Sequence, residues 1–393
     1  MAQTALEERA VMAALAGVID PELGDNVVAL GMVKAVDIDP AGGVVVHISL
    51  TTAGCPLRAQ LMSDVKSRVA SLPGAGKVRV RFGEMTAEQK RDLMARARWK
   101  ARERDELSTD IPPTARVVAI ASGKGGVGKS SVTVNLAVAL AARGLTVGVL
   151  DADIGGFSVP RMLGVEGKVA AAAGADGNVR ITPIEQPVGA GRVRVVSMGS
   201  IEGAEEDQAI MWRGFMLNRA VQHFLEEVHW GAELDYLLID LPPGTSDVQM
   251  GLARMLPRTE MLIVTTPAVA AQKVAARAAD MARKGYLRVA GVIENMSAFT
   301  CDHGRSYPLF GAGGGQRLAD EIGAPLLGAI PLDPAVAAGG DTGRPAGLGE
   351  GPVAAAFAAL AERIVTEAIP KVEMASCTAR LDEVVNRLLG PRA

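Results

Sequence analysis

The sequence predicts an α/β fold in which a mostly parallel sheet is covered by helices on both faces, preceded by a small N-terminal α+β unit. Three observations carry this expectation. From Arg116 onward short apolar runs recur, most of them continuous rather than alternating, as strands buried on both faces require. Helical segments such as 130–143 and 269–284 lie between most of these runs, which is the βαβ pattern. The chain has 393 residues, enough for two to three domains, and its first 95 residues follow a different rhythm.

The strands predicted for the large unit are 117–121, 146–150, 193–197, 236–241, 261–265, 289–293 and 326–330. The glycine- and alanine-rich stretch 164–191 reads as a mobile loop. In the small unit, residues 1–95, a helix over 6–18 precedes the turn-like Asp20-Pro21-Glu22. Strands over 27–37 and 44–50 flank the turn Asp39-Pro40-Ala41-Gly42-Gly43. A helix from Gly54-Cys55-Pro56 to about 72 and a third strand over 78–82 follow. Residues 96–115 read as a charged, helix-prone linker broken by Ile111-Pro112-Pro113, leaving 116–370 as the large domain. The tail 371–393 reads as a helix with Leu381, Val384, Val385, Leu388 and Leu389 on one face. Its charges cancel, which suits packing or dimer contact better than a membrane surface.

Composition narrows the setting. Aromatic residues are only 3%, so the core must be built from small and branched side chains. A net charge of −3 gives no global attraction to nucleic acid or an anionic membrane. Cys55, Cys301 and Cys377 are far apart and odd in number, which argues for a reducing compartment, the cytoplasm. The N-terminus MAQTALEERA lacks the apolar run of a secretory signal, and no run of 18 or more apolar residues spans a membrane.

The stretch VVAIASGKGGVGKS, ending at Ser130, is a buried strand, a glycine-rich turn and the start of a helix. Gly123, Gly128, Lys129 and Ser130 meet the pattern G-x-x-x-x-G-K-S/T. Gly123, Gly125, Gly126 and Gly128, with Val127, let successive amides curl around phosphate oxygens. The helix that follows, with Ser131 in its first turn, aims its positive end at the same anion. Lys129 would place its ammonium between the β- and γ-phosphates of ATP, and Ser130 would offer a hydroxyl to Mg²⁺. Lys124 inside the loop is either an ordinary solvated lysine or a charge reaching across a dimer to the partner's nucleotide.

Two further strand ends bear carboxylates: Asp151 and Asp153 after 146–150, and Asp240 in 236–241. Ligands of open α/β sheets sit beyond the carboxyl ends of strands, so these groups can converge on the loop. One can hold Mg²⁺ and another can orient the attacking water. Each is also a common helix cap, and Asp247 reads as one.

The loop GKGGVGKS resembles the deviant Walker A motif of the MinD/ParA-like P-loop ATPases, whose extra lysine matches Lys124. DADIGGFSVP resembles their switch I segment and DLPPGTSD their switch II. MWRGF, VHWGAELDYLLIDLPPGTSD and ENMSAFTCDHG are similar to the Mrp/ApbC branch, which carries iron–sulfur clusters. This resemblance covers about residues 115–370. DPELGDNVVALGMV and LTTAGCPLRAQL resemble the small SufT/PaaD-like domain tied to iron–sulfur protein maturation, whose motif cysteine matches Cys55.

The resemblance implies a homodimer with two facing ATP sites, Lys124 acting in trans, and Asp153 or Asp151 positioning water. It places Asn295 near the adenine base. It implies apoprotein clients and iron–sulfur assembly factors as partners, and a 4Fe–4S cluster at Cys301. Two departures stand out. The family's C-x-x-C becomes Cys301-Asp302-His303-Gly304 here, so two chains supply two thiolates where a cluster wants four ligands. Phe157 stands where the family has Pro. Two other functions therefore stay open: a partitioning or positioning ATPase of the ParA/MinD kind, and a nucleotide-gated adaptor that carries no cluster.

Overall fold

The computed structural model describes residues 6–21, 25–51, 57–86, 89–90, 109–153, 156–173, 179–197, 214–244 and 247–372. Most of the proposed linker (96–108), the tail from 373 to 393, Cys55 and Cys377 lie outside the described residues.

The N-terminal unit opens with helix α1 (Glu8–Leu15) and the short strands β1 (Ile19–Asp20) and β2 (Asp25–Asn26). Strands β3 (Val33–Ile38), β4 (Val44–Leu50) and β5 (Val78–Glu84) form a sheet, with helix α2 (Arg58–Ala70) between the last two. β3 and β4 pair antiparallel, β4 and β5 parallel. Val44, Val46, Ile48 and Leu50 alternate inward along β4 and pack with Val11, Leu15, Leu61 and Val65 of the helices. The expectation of a strand beginning at 27 is corrected. Residues 27–32 turn instead, with Leu30 N–H donating to Asn26 O at 3.0 Å and Gly31 at φ 68°.

The large domain begins with β6 (Arg116–Ser122), α3 (Lys129–Ala141), β7 (Thr146–Asp151) and α4 (Val159–Leu163). Strands β8 (Ala170–Ala173), β9 (Val179–Thr182), β10 (Ile184–Val188) and β11 (Gly191–Ser197) follow. Then come α5 (Gly214–Glu227), β12 (Tyr236–Asp240), α6 (Asp247–Met255), β13 (Glu260–Thr265) and α7 (Val269–Lys284). After β14 (Arg288–Glu294), a small hairpin of β15 (Phe299–Thr300) and β16 (Ser306–Tyr307) precedes α8 (Gly314–Ile322) and β17 (Leu326–Ala329). Helices α9 (Pro334–Thr342) and α10 (Pro352–Arg363) close the described chain.

The large sheet has the order β10-β11-β7-β12-β6-β13-β14-β17. All its neighbours pair parallel except β10, which runs antiparallel to β11 at the edge. Every residue of β7, β12 and β13 is buried, as the continuous apolar runs require. One hydrophobic core lies on each face, one gathered around α3 and α10, the other around α5, α6, α7 and α8. Among the described residues no helix is long and apolar enough to cross a membrane.

The stretch 164–191 is not the loop expected. Its described residues form the β8–β9 hairpin and the edge strand β10, whose Ile184–Val188 burial alternates with period two. That strand, IEQPV, holds two apolar side chains and a proline, too weak an apolar signal to stand out beside the alanines and glycines that precede it.

Small residues fix close approaches. Trp230 is fully buried against β7, and a Cβ on Gly148 would lie 2.8 Å from its ring and 2.9 Å from Leu237 Cδ1. Overpacking of this kind costs about 1–3 kcal/mol. Gly148→Ala is therefore predicted to lower the urea midpoint without changing its slope, and an unchanged midpoint would contradict this packing.

Candidate nucleotide site

The loop between β6 and α3 takes its shape from glycines. A Cβ on Gly123 would be driven into the α7 backbone at Val274 and Ala275. Gly126 and Gly128 sit at φ 79° and 78°, which β-carbon-bearing residues adopt only at a cost. A Cβ on Gly125 or Gly126 would meet nothing within 4 Å, so the loop opens a hollow there. Helix α3 starts at Lys129 with Gly128 as N-cap and no side-chain cap. Its first-turn amides therefore lack a capping oxygen and are available to an anion.

Three strand ends meet at this hollow. β12 lies between β6 and β7, with Asp240 in register with Ile120 and Asp151. Asp240 is fully buried. Its Oδ2 lies 2.7 Å from Lys129 Nζ and accepts Ser130 Oγ at 2.6 Å; its Oδ1 accepts Thr133 Oγ1 at 2.8 Å. Asp153 Oδ2 is 3.7 Å from Lys129 Nζ, and its side chain keeps 21% of its surface exposed. Burial raises the Asp153 pKa, with Lys129 opposing and Asp240 reinforcing the shift.

Asp151 is placed differently. It is fully buried, and its Oδ2 accepts Ser158 N–H at 3.1 Å, Val159 N–H at 3.2 Å and Ser197 Oγ at 3.3 Å. Its Oδ1 accepts Asp153 N–H at 3.2 Å. This carboxylate ties down the loop that carries Asp153. Burial, then the neighbouring Asp240 charge, pushes its pKa up to about 7 against its backbone hydrogen bonds and Lys129.

Asn295 is buried, and its Nδ2 donates to Val127 O at 2.9 Å. A Cβ on Gly128 would collide with that amide, so the loop glycine and Asn295 fit one another. Ser131 lies in the first turn of α3. Lys124 is exposed, and no ion pair of the Lys129 cluster includes it. Helix α6 starts at Asp247, where a cap was expected.

Three contributors are absent from the sequence reading. Thr133 is three residues beyond Ser130, on the same helix face, and that spacing could have revealed it. Ser197 lies in register beside Asp151 across β11 and β7, which only the sheet order discloses. Gln249, buried in α6, donates through Nε2 to Gly244 O at 2.9 Å, while Gly244 N–H donates to Ser122 O at 2.9 Å. The turn after Asp240 is thereby held against the start of the loop.

Cys301 is partly buried at the mouth of the β15–β16 turn. Its N–H donates to Arg305 O at 3.0 Å, and Gly304, at φ 74°, returns an N–H to Cys301 O at 2.8 Å. Asp302, His303 and Arg305 are exposed. Among the described residues no group of three or more His, Cys, Asp or Glu is arranged to hold a metal.

The family model for the NUBPL iron-transfer P-loop NTPase matches residues 113–365, which hold the glycine loop and all three strand ends. The chain belongs to this family. A second model, for an iron–sulfur cluster assembly protein, matches residues 8–82. The chain is 46% identical over 342 residues to the iron–sulfur cluster carrier protein of Mycobacterium tuberculosis H37Rv, covering 86% of this chain and 87% of that one. It is 44% identical over 339 residues to the protein of that name from Deinococcus radiodurans, covering 86% and 88%. It is 40% identical over 373 residues to the one from Synechocystis, covering 93% and 98%. In this NUBPL-family NTPase, as in any chain of this fold, the sheet gathers the site at the carboxyl ends of its strands.

The raised pKa of Asp151 has a signed consequence. Between the ordinary aspartate value, about 4, and about 7, the folded chain keeps a proton that the unfolded chain has lost. This group's contribution to stability is therefore lost as pH rises through that window. Denaturation of nucleotide-free protein at pH 5 and pH 8 should show wild type losing more stability across the interval than Asp151→Asn. Parallel losses would contradict the assignment.

Proposed function

We propose that this chain binds ATP with Mg²⁺ at Gly123–Ser131, hydrolyses it, and uses the cycle to carry iron–sulfur clusters to apoproteins. The observation that carries the nucleotide half is the uncapped N-terminus of α3 facing Lys129, Asp240 and Asp153 across a glycine-built hollow. The cargo half draws on the relatives' shared name and on the assembly-protein match over residues 8–82.

The residues fit the reaction. Loop amides and Lys129 bind the phosphates, whose charge Lys129 matches as it develops in transfer. Ser130 Oγ and Asp240 Oδ2 are hard oxygen donors 2.6 Å apart, a suitable pair for Mg²⁺. Bound there, Mg²⁺ would neutralise charge on the β- and γ-phosphates. Asp153 is the carboxylate with access to solvent near Lys129, so it is assigned to orient the attacking water. Asp151 is assigned to hold the Asp153 loop in place. Asn295 supports the loop beneath the nucleotide. Lys124, exposed at the loop, is free to reach a second protomer's nucleotide, which makes the working form a homodimer.

Cargo binding is assigned to Cys301. Two copies at a dimer axis give two thiolates, and His303, Asp302 or a small thiol would complete the ligand set of a 4Fe–4S cluster. The sequence Cys301-Asp302-His303-Gly304 gives each chain one thiolate there, which favours a second reading, a nucleotide-gated adaptor without a cluster.

Two measurements test these readings. ATP hydrolysis should fall about 10²–10³-fold in Lys129→Ala and strongly in Asp153→Asn, while Lys124→Ala should slow hydrolysis yet retain ATP. Equal rates in wild type and Lys129→Ala would end the catalytic assignment. Anaerobic iron and sulfide reconstitution should leave iron on wild type and little on Cys301→Ala. No iron on wild type, or equal iron on both, would favour the adaptor.

A further inference from the structure

The opposite end of the large sheet carries a second polar assembly, and the N-terminal unit is part of it. Arg68 lies near the end of α2 and is only 3% exposed. Its Nη1 donates to Pro257 O at 3.0 Å and its Nη2 to Arg258 O at 2.6 Å, with Glu260 Oε1 at 3.4 Å. Glu260, the first residue of β13, is buried, and its Oε2 pairs with Arg288 Nη1 at 2.9 Å. Asp64, one turn back on α2, pairs with both terminal nitrogens of Arg116 at 3.2 and 3.3 Å. Arg116 and Arg288, which open β6 and β14, also donate to Pro370 O at 2.7 Å and Ala368 O at 3.0 Å. A Cβ on Gly17 would strike both the Arg68 guanidinium and Pro257 O, so the chain after α1 is pressed against the same spot.

These contacts touch the first residues of β6, β13 and β14. The glycine loop, Asp240 and Asp153 lie at the last residues of their strands or beyond, as does Cys301 after β14. Strands of six or seven residues separate the two ends by about 20 Å, at roughly 3.3 Å per residue. Opening the contact would strip Arg68 of Pro257 O, Arg258 O and its contact with Glu260, and Asp64 of Arg116, while Glu260 keeps Arg288; removing one side of a buried charge contact is disfavoured. A charged linker alone would permit relative motion; this assembly opposes it.

We infer that Arg68 pins the N-terminal unit to the base of the nucleotide sheet as a fixed joint that stays shut through the nucleotide cycle. The unit then cannot swing to the nucleotide loop or to Cys301 of its own chain. Any cluster passing between the unit and Cys301 passes between molecules. That last clause rests on the carrier reading; the joint itself does not.

Hydrogen exchange on the full-length protein, without nucleotide and with ATP and Mg²⁺, tests the joint. Segments 65–70 and 257–262 should be equally protected in both conditions. In Arg68→Met both should exchange at least about tenfold faster, while β4 and β6 keep their protection and ATP affinity stays within about twofold. Should Arg68→Met also expose β4, Glu260→Gln leaves every N-terminal side chain intact; because Glu260 also pairs with Arg288 in its own domain, segment 65–70 of the N-terminal unit is then the readout and should exchange faster. The inference is overturned if ATP releases these segments in wild type, if wild type already exchanges as fast as the variants, or if Glu260→Gln leaves 65–70 protected. Failure of ATP to bind would count against the nucleotide reading and leave the joint's nucleotide-free protection as the deciding result.

Discussion

The Asp240 carboxylate, buried at the end of β12, meets Lys129, Ser130 and Thr133 at once. A carboxylate taken out of water is strongly disfavoured unless charge and hydrogen bonds match it. Lys129, Ser130 and Thr133 all belong to the first turns of α3, so Asp240 fixes where that helix begins. The hollow in front of the helix follows from that position and from the glycines at φ 79° and 78°. Asp240 can meet α3 only because β12 inserts between β6 and β7. Strand order, more than any single motif, brings the three strand ends together.

That dependence explains what the sequence made legible. The buried strands were readable as apolar runs, since β7, β12 and β13 show no exposed face that could confuse the pattern. The loop was readable because its glycines, lysine and serine are contiguous. Choosing between Asp151 and Asp153 was not possible from the sequence. What separates them is that Asp151 faces the amides of Asp153, Ser158 and Val159 and the hydroxyl of Ser197, 46 residues away along the chain. Gln249 and Ser197 were invisible for the same reason. The hairpin within 164–191 was lost to composition, because the alanines of β8 signal neither strand face, and the edge strand because IEQPV carries a proline and few apolar residues. In the N-terminal unit, Asn26 caps a turn that the apolar run from Val27 disguised: its Oδ1 accepts Ala29 N–H at 2.8 Å.

The molecule therefore works at two ends of one sheet. The carboxyl end gathers the glycine loop, Lys129, Asp240 and Asp153 and presents the hairpin bearing Cys301. The amino end holds the N-terminal unit through Arg68 and Asp64. Charge burial organises both, in opposite ways. At the nucleotide end Asp153 keeps access to solvent and Lys129 has more than one acidic partner, an arrangement open to exchange with phosphate and metal. At the base the guanidinium of Arg68 is enclosed by two carbonyls and a carboxylate, an arrangement suited to permanence.

If Asp240 and the α3 N-terminus together make a magnesium-dependent triphosphate site, Asp240 must matter to ATP binding chiefly when the metal is present. Equilibrium titration of ATP into wild-type protein and Asp240→Asn, each with and without Mg²⁺, tests it most directly. Wild type should take up one ATP per chain, tighter with Mg²⁺, with a magnesium effect that disappears in Asp240→Asn. Wild type that takes up no ATP, or a magnesium effect that survives in Asp240→Asn, would contradict it.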